Sequence, residues 1–111
     1  MLFPQFSPRP WRLPADTLLD EMRSYASSPC FDALLDELAN GPPQEGAPAG
    51  SLRSPLVIGW GRQDRVCLPR QAARAQAAFP DARLHWFERC GHFPHWDQPA
   101  AAARLILSST G

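Results

Sequence analysis

The sequence contains no lysine: all 11 of its basic residues are arginine, and 11 acidic residues balance them. A chain without net charge has no overall field that would attract nucleic acid or an anionic membrane surface. The sequence also lacks a charged and apolar leader and any apolar run of membrane-spanning length, so we expect a cytoplasmic protein. Its 111 residues, 44% of them apolar, have the size and composition of one small globular domain.

Cysteine is scarce, and its spacing excludes two kinds of site. Cys30, Cys67 and Cys90 are an odd number with no close pair, so no disulfide framework is indicated. Cys90, His92 and His95 could be interpreted as metal ligands, but no second spaced pair completes a set of four. We therefore predict neither a metal nor a cofactor.

Two amphipathic helices are predicted in residues 1–40. Asp16 is a candidate N-cap for the first, whose apolar residues recur at helical spacing to about Ser27. Ser28-Pro29 offers a cap and an N-terminal proline for the second, and Asn40-Gly41 offers a left-handed stop. Together they predict a helical hairpin whose apolar stripes need a partner.

Two stretches have neither a helical nor a strand pattern. Residues 3–14 are rich in proline and are expected to form an irregular lead-in that packs on something else. Residues 41–54 contain almost nothing apolar and cannot bury enough surface to order themselves, so they are expected to be a mobile linker.

The pattern changes in the third segment, residues 55–111. Leu56–Trp60 is a nearly unbroken apolar run, typical of a parallel strand covered on both faces, and Ala82–Glu88 is predicted as a second strand. A helix is predicted over Leu68–Phe79, and another after Asp97 as its N-cap. Strand, helix, strand, helix predicts an α/β fold with a right-handed parallel crossover.

Each predicted strand is followed by a loop with a titratable side chain, Asp64 after the first and His92 after the second. Parallel strands end at the same sheet edge, where open α/β sheets carry their chemistry. An acid there can hold an imidazole in one tautomer while the other ring nitrogen takes a proton from a nucleophile. Asp64 and His92 are therefore candidates for two thirds of a catalytic triad. The alternatives are a helix-capping or turn aspartate and a structural histidine.

Pro55–Val66, Leu68-Pro69 and Gly91–Pro99 together resemble the C-terminal part of the α/β-hydrolase fold superfamily. In that superfamily the chain order is serine, then acid, then histidine. The resemblance implies hydrolysis of an ester or related bond in a small molecule. It also implies that Asp64 orients His92, which acts as general base and then as general acid. The two N-terminal helices are similar in kind to the end of a helical cap.

The superfamily's nucleophile motif, G-x-S-x-G, is absent, and no serine lies on a strand-to-helix turn. We therefore expect a truncated or inactive fragment without hydrolase activity of its own. The alternative is a non-catalytic remnant or interaction module that docks through its sheet edge and helical hairpin, since an open hydrophobic edge pairs with other chains. Either interpretation predicts self-association or a complementing chain, and neither indicates the substrate.

Aromatic residues near His92 have two interpretations. Phe93 and Trp96 either pack in the core and at its edge or line a substrate pocket, and His95 is expected in the loop or the pocket wall. Trp11 and Leu34 would line an acyl or alkyl pocket if the resemblance to a cap holds.

Overall fold

The structure, a computed structural model, describes residues 3–110. The chain divides into one unit formed by residues 1–10 and 46–111, and a second formed by residues 11–45. The three segments predicted from sequence include Met1, Leu2 and Gly111, which lie outside the described residues, and their boundaries stay a prediction. No helix within 3–110 is both long and apolar enough to cross a membrane. The elements are α1 (Phe3–Phe6), α2 (Ala15–Ser27), α3 (Phe31–Asn40), β1 (Val57–Gly61), α4 (Ala72–Ala78), β2 (Arg83–Phe87), α5 (Pro94–Asp97) and α6 (Pro99–Thr110).

The first unit is built on a two-stranded parallel sheet. β1 pairs with β2 in a register that runs from Val57 opposite Arg83 to Gly61 opposite Phe87. The connection passes through a 3₁₀ turn, Pro69–Gln71, and then α4. The sequence-based prediction of a strand-helix-strand-helix α/β arrangement is confirmed, with each strand within about a residue or two of its predicted bounds.

A small core lies around the end of β2. Phe87 is 4% exposed and Cys90 has no exposed surface. Gly59 on β1 leaves room for the Phe87 ring, because a Cβ at position 59 would collide with that ring and would also meet Leu105 of α6. The absence of a side chain at Gly59 thus leaves room for the Phe87 ring beside β1.

The residues before α2 differ from the irregular lead-in that was predicted. Phe3–Phe6 form a helical turn, α1, and Pro10–Arg12 form a 3₁₀ turn. One helical turn brings residues three apart onto the same face, and Phe3 and Phe6 both pack against Trp96. The lead-in does pack on another part of the chain, as expected.

Three predicted helix ends are wrong. α2 has Pro14, not Asp16, as its N-cap, and no side chain caps it. α3 begins at Phe31, beyond the predicted Ser28-Pro29 start, and it also has no side-chain cap. Gly41 ends α3 in an extended conformation, with φ −70° and ψ 171°, and not in the predicted left-handed one. Its N–H bonds to the Glu37 carbonyl, so this bond does not require left-handed geometry.

The second unit contains α2 and α3, and neither helix buries a residue. Tyr25 near the end of α2 packs against Phe31 at the start of α3, with ring centroids 4.0 Å apart. Large apolar side chains on both helices are exposed: Leu19, Met22, Tyr25, Leu34, Leu35 and Leu38. The predicted apolar stripes therefore exist and face solvent.

Asp97 does not cap the last helix as predicted. It ends the short helix α5, and α6 begins at Pro99. The Asp97 carboxylate instead accepts hydrogen bonds from Ser7 and from the backbone of Gly91. Long-range partners thus displace the local capping role that the sequence pattern indicated.

Candidate active site

Asp64 and His92 lie together at the carboxyl edge of the sheet. β1 ends at Gly61 and β2 at Phe87, which are opposite each other, so the two following loops start side by side. Oδ2 of Asp64 is 2.9 Å from Nδ1 of His92. The acid is 6% exposed, and the histidine side chain is 28% exposed. The structure therefore brings together the two residues selected from the sequence as candidate site residues.

The backbone of its own loop holds the Asp64 carboxylate in place. Oδ1 accepts hydrogen bonds from the N–H groups of Val66, at 2.8 Å, and Cys67, at 3.0 Å. The Trp60 indole N–H in turn donates to the Cys67 carbonyl and fixes the far end of the loop. With Oδ1 committed to two donors, Oδ2 is left to accept from His92. This arrangement favours the ring tautomer with its proton on Nδ1.

The acid loop, residues 62–68, and the histidine loop, residues 88–93, are bonded to each other as well. Gln63 N–H donates to the Cys90 carbonyl at 2.8 Å. A Cβ on Gly61 would collide with the carbonyl oxygens of Cys90 and Gly91. Glycine is therefore needed at position 61 for the backbones to approach this closely.

The lead-in segment contacts the histidine loop from another direction. His92 N–H donates to the Phe6 carbonyl at 2.7 Å. The Ser7 hydroxyl donates to Oδ1 of Asp97 at 2.5 Å, and Gly91 N–H donates to Oδ2 of the same carboxylate at 2.7 Å. Sequence reasoning missed this contact, because Ser7 lies in a proline-rich stretch with no pattern that indicates a partner.

The aromatic residues beside His92 form a packed cluster. Phe93 stacks on Phe6 with ring centroids 5.1 Å apart and meets Trp96 edge-on at 4.7 Å. The His92 ring lies 5.0 Å from Phe93 and 6.0 Å from Phe6. These contacts favour the packing interpretation of Phe93 and Trp96 over the pocket interpretation. His95 is exposed on the short helix α5 and not in a loop as predicted.

A cavity of about 190 Å³ opens at the acid and histidine loops. Within residues 3–110, Nε2 of His92 has no hydrogen-bond partner. The volume is smaller than the range typical of small-molecule pockets. The cavity is lined by Gly59, Trp60, Gly61, Asp64, Cys67, His92 and Pro94.

Cys67 is a further neighbour of the pair that sequence reasoning did not place there. Its sulfur and ligand atoms of Asp64 and His92 all lie within 4.8 Å of one another, a donor set that a thiophilic cation could use. Both Asp64 oxygens already accept hydrogen bonds, however. Partial burial raises the pKa of the Cys67 thiol, and the Asp64 carboxylate raises it further, which disfavours the thiolate that a metal needs. The arrangement suits a hydrogen-bonded acid–histidine pair better than a metal centre.

The parallel crossover, with an acid and a histidine after successive strands, defines a partial α/β-hydrolase-type fold. The alpha/beta hydrolase family matches residues 1–105, and the chain belongs to that family. No solved structure matches the chain significantly.

Curated relatives carry hydrolase names. A 2-hydroxy-6-oxononadienedioate/2-hydroxy-6-oxononatrienedioate hydrolase of Pseudomonas putida is 33% identical over 82% of this chain and 32% of its own length. A hydrolase of the same name from Cupriavidus pinatubonensis is 34% identical over 60% of this chain and 23% of its own. A 2-hydroxy-6-oxo-6-phenylhexa-2,4-dienoate hydrolase of Burkholderia cepacia is 38% identical over 52% of this chain and 20% of its own. The chain thus spans about a third or less of the relatives it matches.

Proposed function

We propose that Asp64 and His92 are the acid and the histidine of a Ser–His–Asp type relay that hydrolyses an ester or related bond in a small molecule. The observation that carries the proposal is the 2.9 Å contact between Asp64 Oδ2 and His92 Nδ1. With the proton on Nδ1, the neutral ring has an unprotonated Nε2. That nitrogen can take a proton from a nucleophile and return it to the leaving group.

We further propose that the nucleophile lies outside these 111 residues. Ser7 is 1% exposed and donates its hydroxyl proton to Asp97, so it is not available to attack a substrate. Cys67 lies near His92, but its raised pKa makes it a poor thiolate nucleophile. The chain alone is therefore expected to hydrolyse no short-chain p-nitrophenyl ester. Turnover by the purified chain that is lost in His92→Ala would contradict this part of the proposal.

The names of the relatives suggest a second class of substrate. They describe 2-hydroxy-6-oxo acids, and the chain covers only 20–32% of the three relatives described above. We propose small keto acids of this kind as substrates to assay beside simple esters.

A chimera tests the relay directly. Residues of this chain replace the matched third of the Pseudomonas putida relative, which supplies the rest of the hydrolase fold. We expect hydrolysis of the relative's substrate by the chimera, and a loss of about 10⁴-fold or more in kcat on His92→Ala. His95→Ala changes an exposed histidine three positions away, on α5, and is the matched control that should retain activity. A His92→Ala chimera as active as its parent would refute the proposal.

A second candidate function is assembly with a complementing part of an α/β hydrolase. Within residues 3–110, β1 pairs only with β2, so each strand has an outer edge without a partner strand. Ile106 and Leu107 on α6 are 63% and 71% exposed. We propose that the natural occupant of these surfaces is the remaining sheet of such a hydrolase and that the chain alone self-associates. Analytical ultracentrifugation tests this: a concentration-independent monomer with cooperative unfolding would count against it.

A further inference from the structure

Asp97 bridges two parts of the chain that are far apart in sequence. Its Oδ1 accepts from the Ser7 hydroxyl, 90 positions away, and its Oδ2 accepts from Gly91 N–H. Each carboxylate oxygen thus holds a different segment, the lead-in on one side and the histidine loop on the other.

The two hydrogen bonds of Asp97 combine with a third, donated by the backbone of His92, to hold the histidine loop. Gly91, held by Asp97, immediately precedes the histidine, and the His92 N–H donates to the carbonyl of Phe6, the neighbour of Ser7. Hydrogen bonds therefore hold the backbone amides of both Gly91 and His92. A fixed backbone at His92 constrains the direction of its Cα–Cβ bond and so the position of the imidazole.

A second hydrogen bond at Ser7 fixes the direction of its hydroxyl proton. Arg9 N–H donates to the Ser7 oxygen at 3.0 Å and occupies one of its acceptor positions, so the hydroxyl proton points to Asp97. Ser7 is 1% exposed, and water cannot replace either bond. Gly91 allows the close approach, because a Cβ there would collide with the Phe6 carbonyl oxygen.

We propose that Asp97 is a positioning residue for His92 and acts by clamping the first part of the lead-in, residues 3–9, onto the histidine loop. This inference rests on the proposed relay, since positioning has a catalytic consequence only if His92 transfers a proton. The described hydrogen bonds of the Asp97 carboxylate go to Ser7 and Gly91, and that of the imidazole goes to Asp64. It determines whether the ring keeps Nδ1 against Asp64.

The test uses the full 111-residue chain with ¹⁵N-labelled histidine. Ring ¹⁵N shifts give the share of neutral His92 that carries its proton on Nδ1, and amide exchange is followed at Gly91 and His92. In Asp97→Asn we expect exchange at both amides to rise by about tenfold or more, as a charge-assisted bond is lost. We also expect the Nδ1–H share of His92 to fall. Ser7→Ala should shift both readouts in the same direction but less, because Asp97 still accepts from Gly91.

Glu88→Gln is the matched control, since it removes one carboxylate beside the same loop but only from an exposed pair with Arg62. It should leave both readouts unchanged. A folded Asp97→Asn with wild-type ring shifts and exchange would overturn the proposal. If that variant does not fold, unchanged readouts in Ser7→Ala would overturn it. A wild-type ring with its proton on Nε2 would instead overturn the relay, while amide exchange would still test the clamp.

Discussion

Replacing Asp64 with asparagine should move the ring proton of His92 from Nδ1 to Nε2. In the wild type, Oδ2 accepts from Nδ1 at 2.9 Å while Oδ1 accepts from the N–H groups of Val66 and Cys67. The asparagine oxygen must take over the Oδ1 position, because an amide nitrogen there would face two donors. Its NH₂ group then faces His92, and the facing ring nitrogen has to become an acceptor.

The cost in stability can be ordered from the same contacts. Asp64→Asn keeps the three contacts but turns each charge-assisted bond into a neutral one, for about 1–2 kcal/mol in total in the free energy of unfolding. Asp64→Ala loses all three bonds at a residue that is 6% exposed. Because water at the exposed loop replaces part of them, we expect a loss of about 2–3 kcal/mol in the free energy of unfolding. Glu45→Gln changes the net charge equally at an exposed position and should stay within about 0.5 kcal/mol of wild type.

Two measurements decide the outcome. Ring ¹⁵N shifts of His92 report the tautomer, and urea unfolding reports stability. Asp64→Asn with the proton still on Nδ1 and an unchanged unfolding midpoint would refute the reasoning, because it would mean that the carboxylate does not hold the ring.

Further predictions concern thiols and glycines. Cys90 should resist a thiol reagent at pH 8 that labels exposed Cys30 and Cys67, because Cys90 has no exposed surface; three thiols labelled in the folded chain would contradict this. Burial, then the Asp97 and Asp64 carboxylates, raises its pKa from 9.0 to about 12, against a lowering by Arg9. A raised pKa means that folding favours the protonated thiol, so Cys90 contributes to stability. This contribution is complete below pH 9 and is lost as the pH rises towards 12. The urea midpoint should therefore fall between pH 9 and 12, and fall less steeply in Cys90→Ala. Gly61→Ala should cost about 2–4 kcal/mol by urea unfolding, since its Cβ meets backbone. Gly50→Ala, at a φ of +76° in open space, should cost only about 1 kcal/mol. Equal costs for the two variants would show that the backbone contact at Gly61 leaves room for a Cβ.

The strands and the order of the secondary-structure elements could be predicted from the sequence. The apolar run Leu56–Trp60 indicated a parallel strand, and β1 lies there at Val57–Gly61. The predicted cover on both faces is not observed, since Gly61 is the only buried residue of β1. Asp64 and His92 could be placed together because parallel strands deliver their following loops to one edge. Their contact depends on this topology, and topology is visible in the order of elements.

Features that depend on distant partners could not be predicted. Asp97 precedes a proline and a helical pattern, which is the signature of a cap, but its oxygens bond to Ser7 and Gly91 instead. Local rules describe what a short peptide would prefer, and tertiary hydrogen bonds of comparable energy override them.

The division of the chain into units has an evolutionary consequence. The first unit is discontinuous: the chain leaves it after Pro10 and returns at Gly46, so residues 11–45 are an insertion in topological terms. The described hydrogen bonds that hold Asp64 and His92 all come from residues 1–10 and 46–111. An inserted segment of this kind can change in length and composition, or be exchanged, without altering those bonds. Selection could therefore change α2 and α3 while the acid and histidine loops stay unchanged.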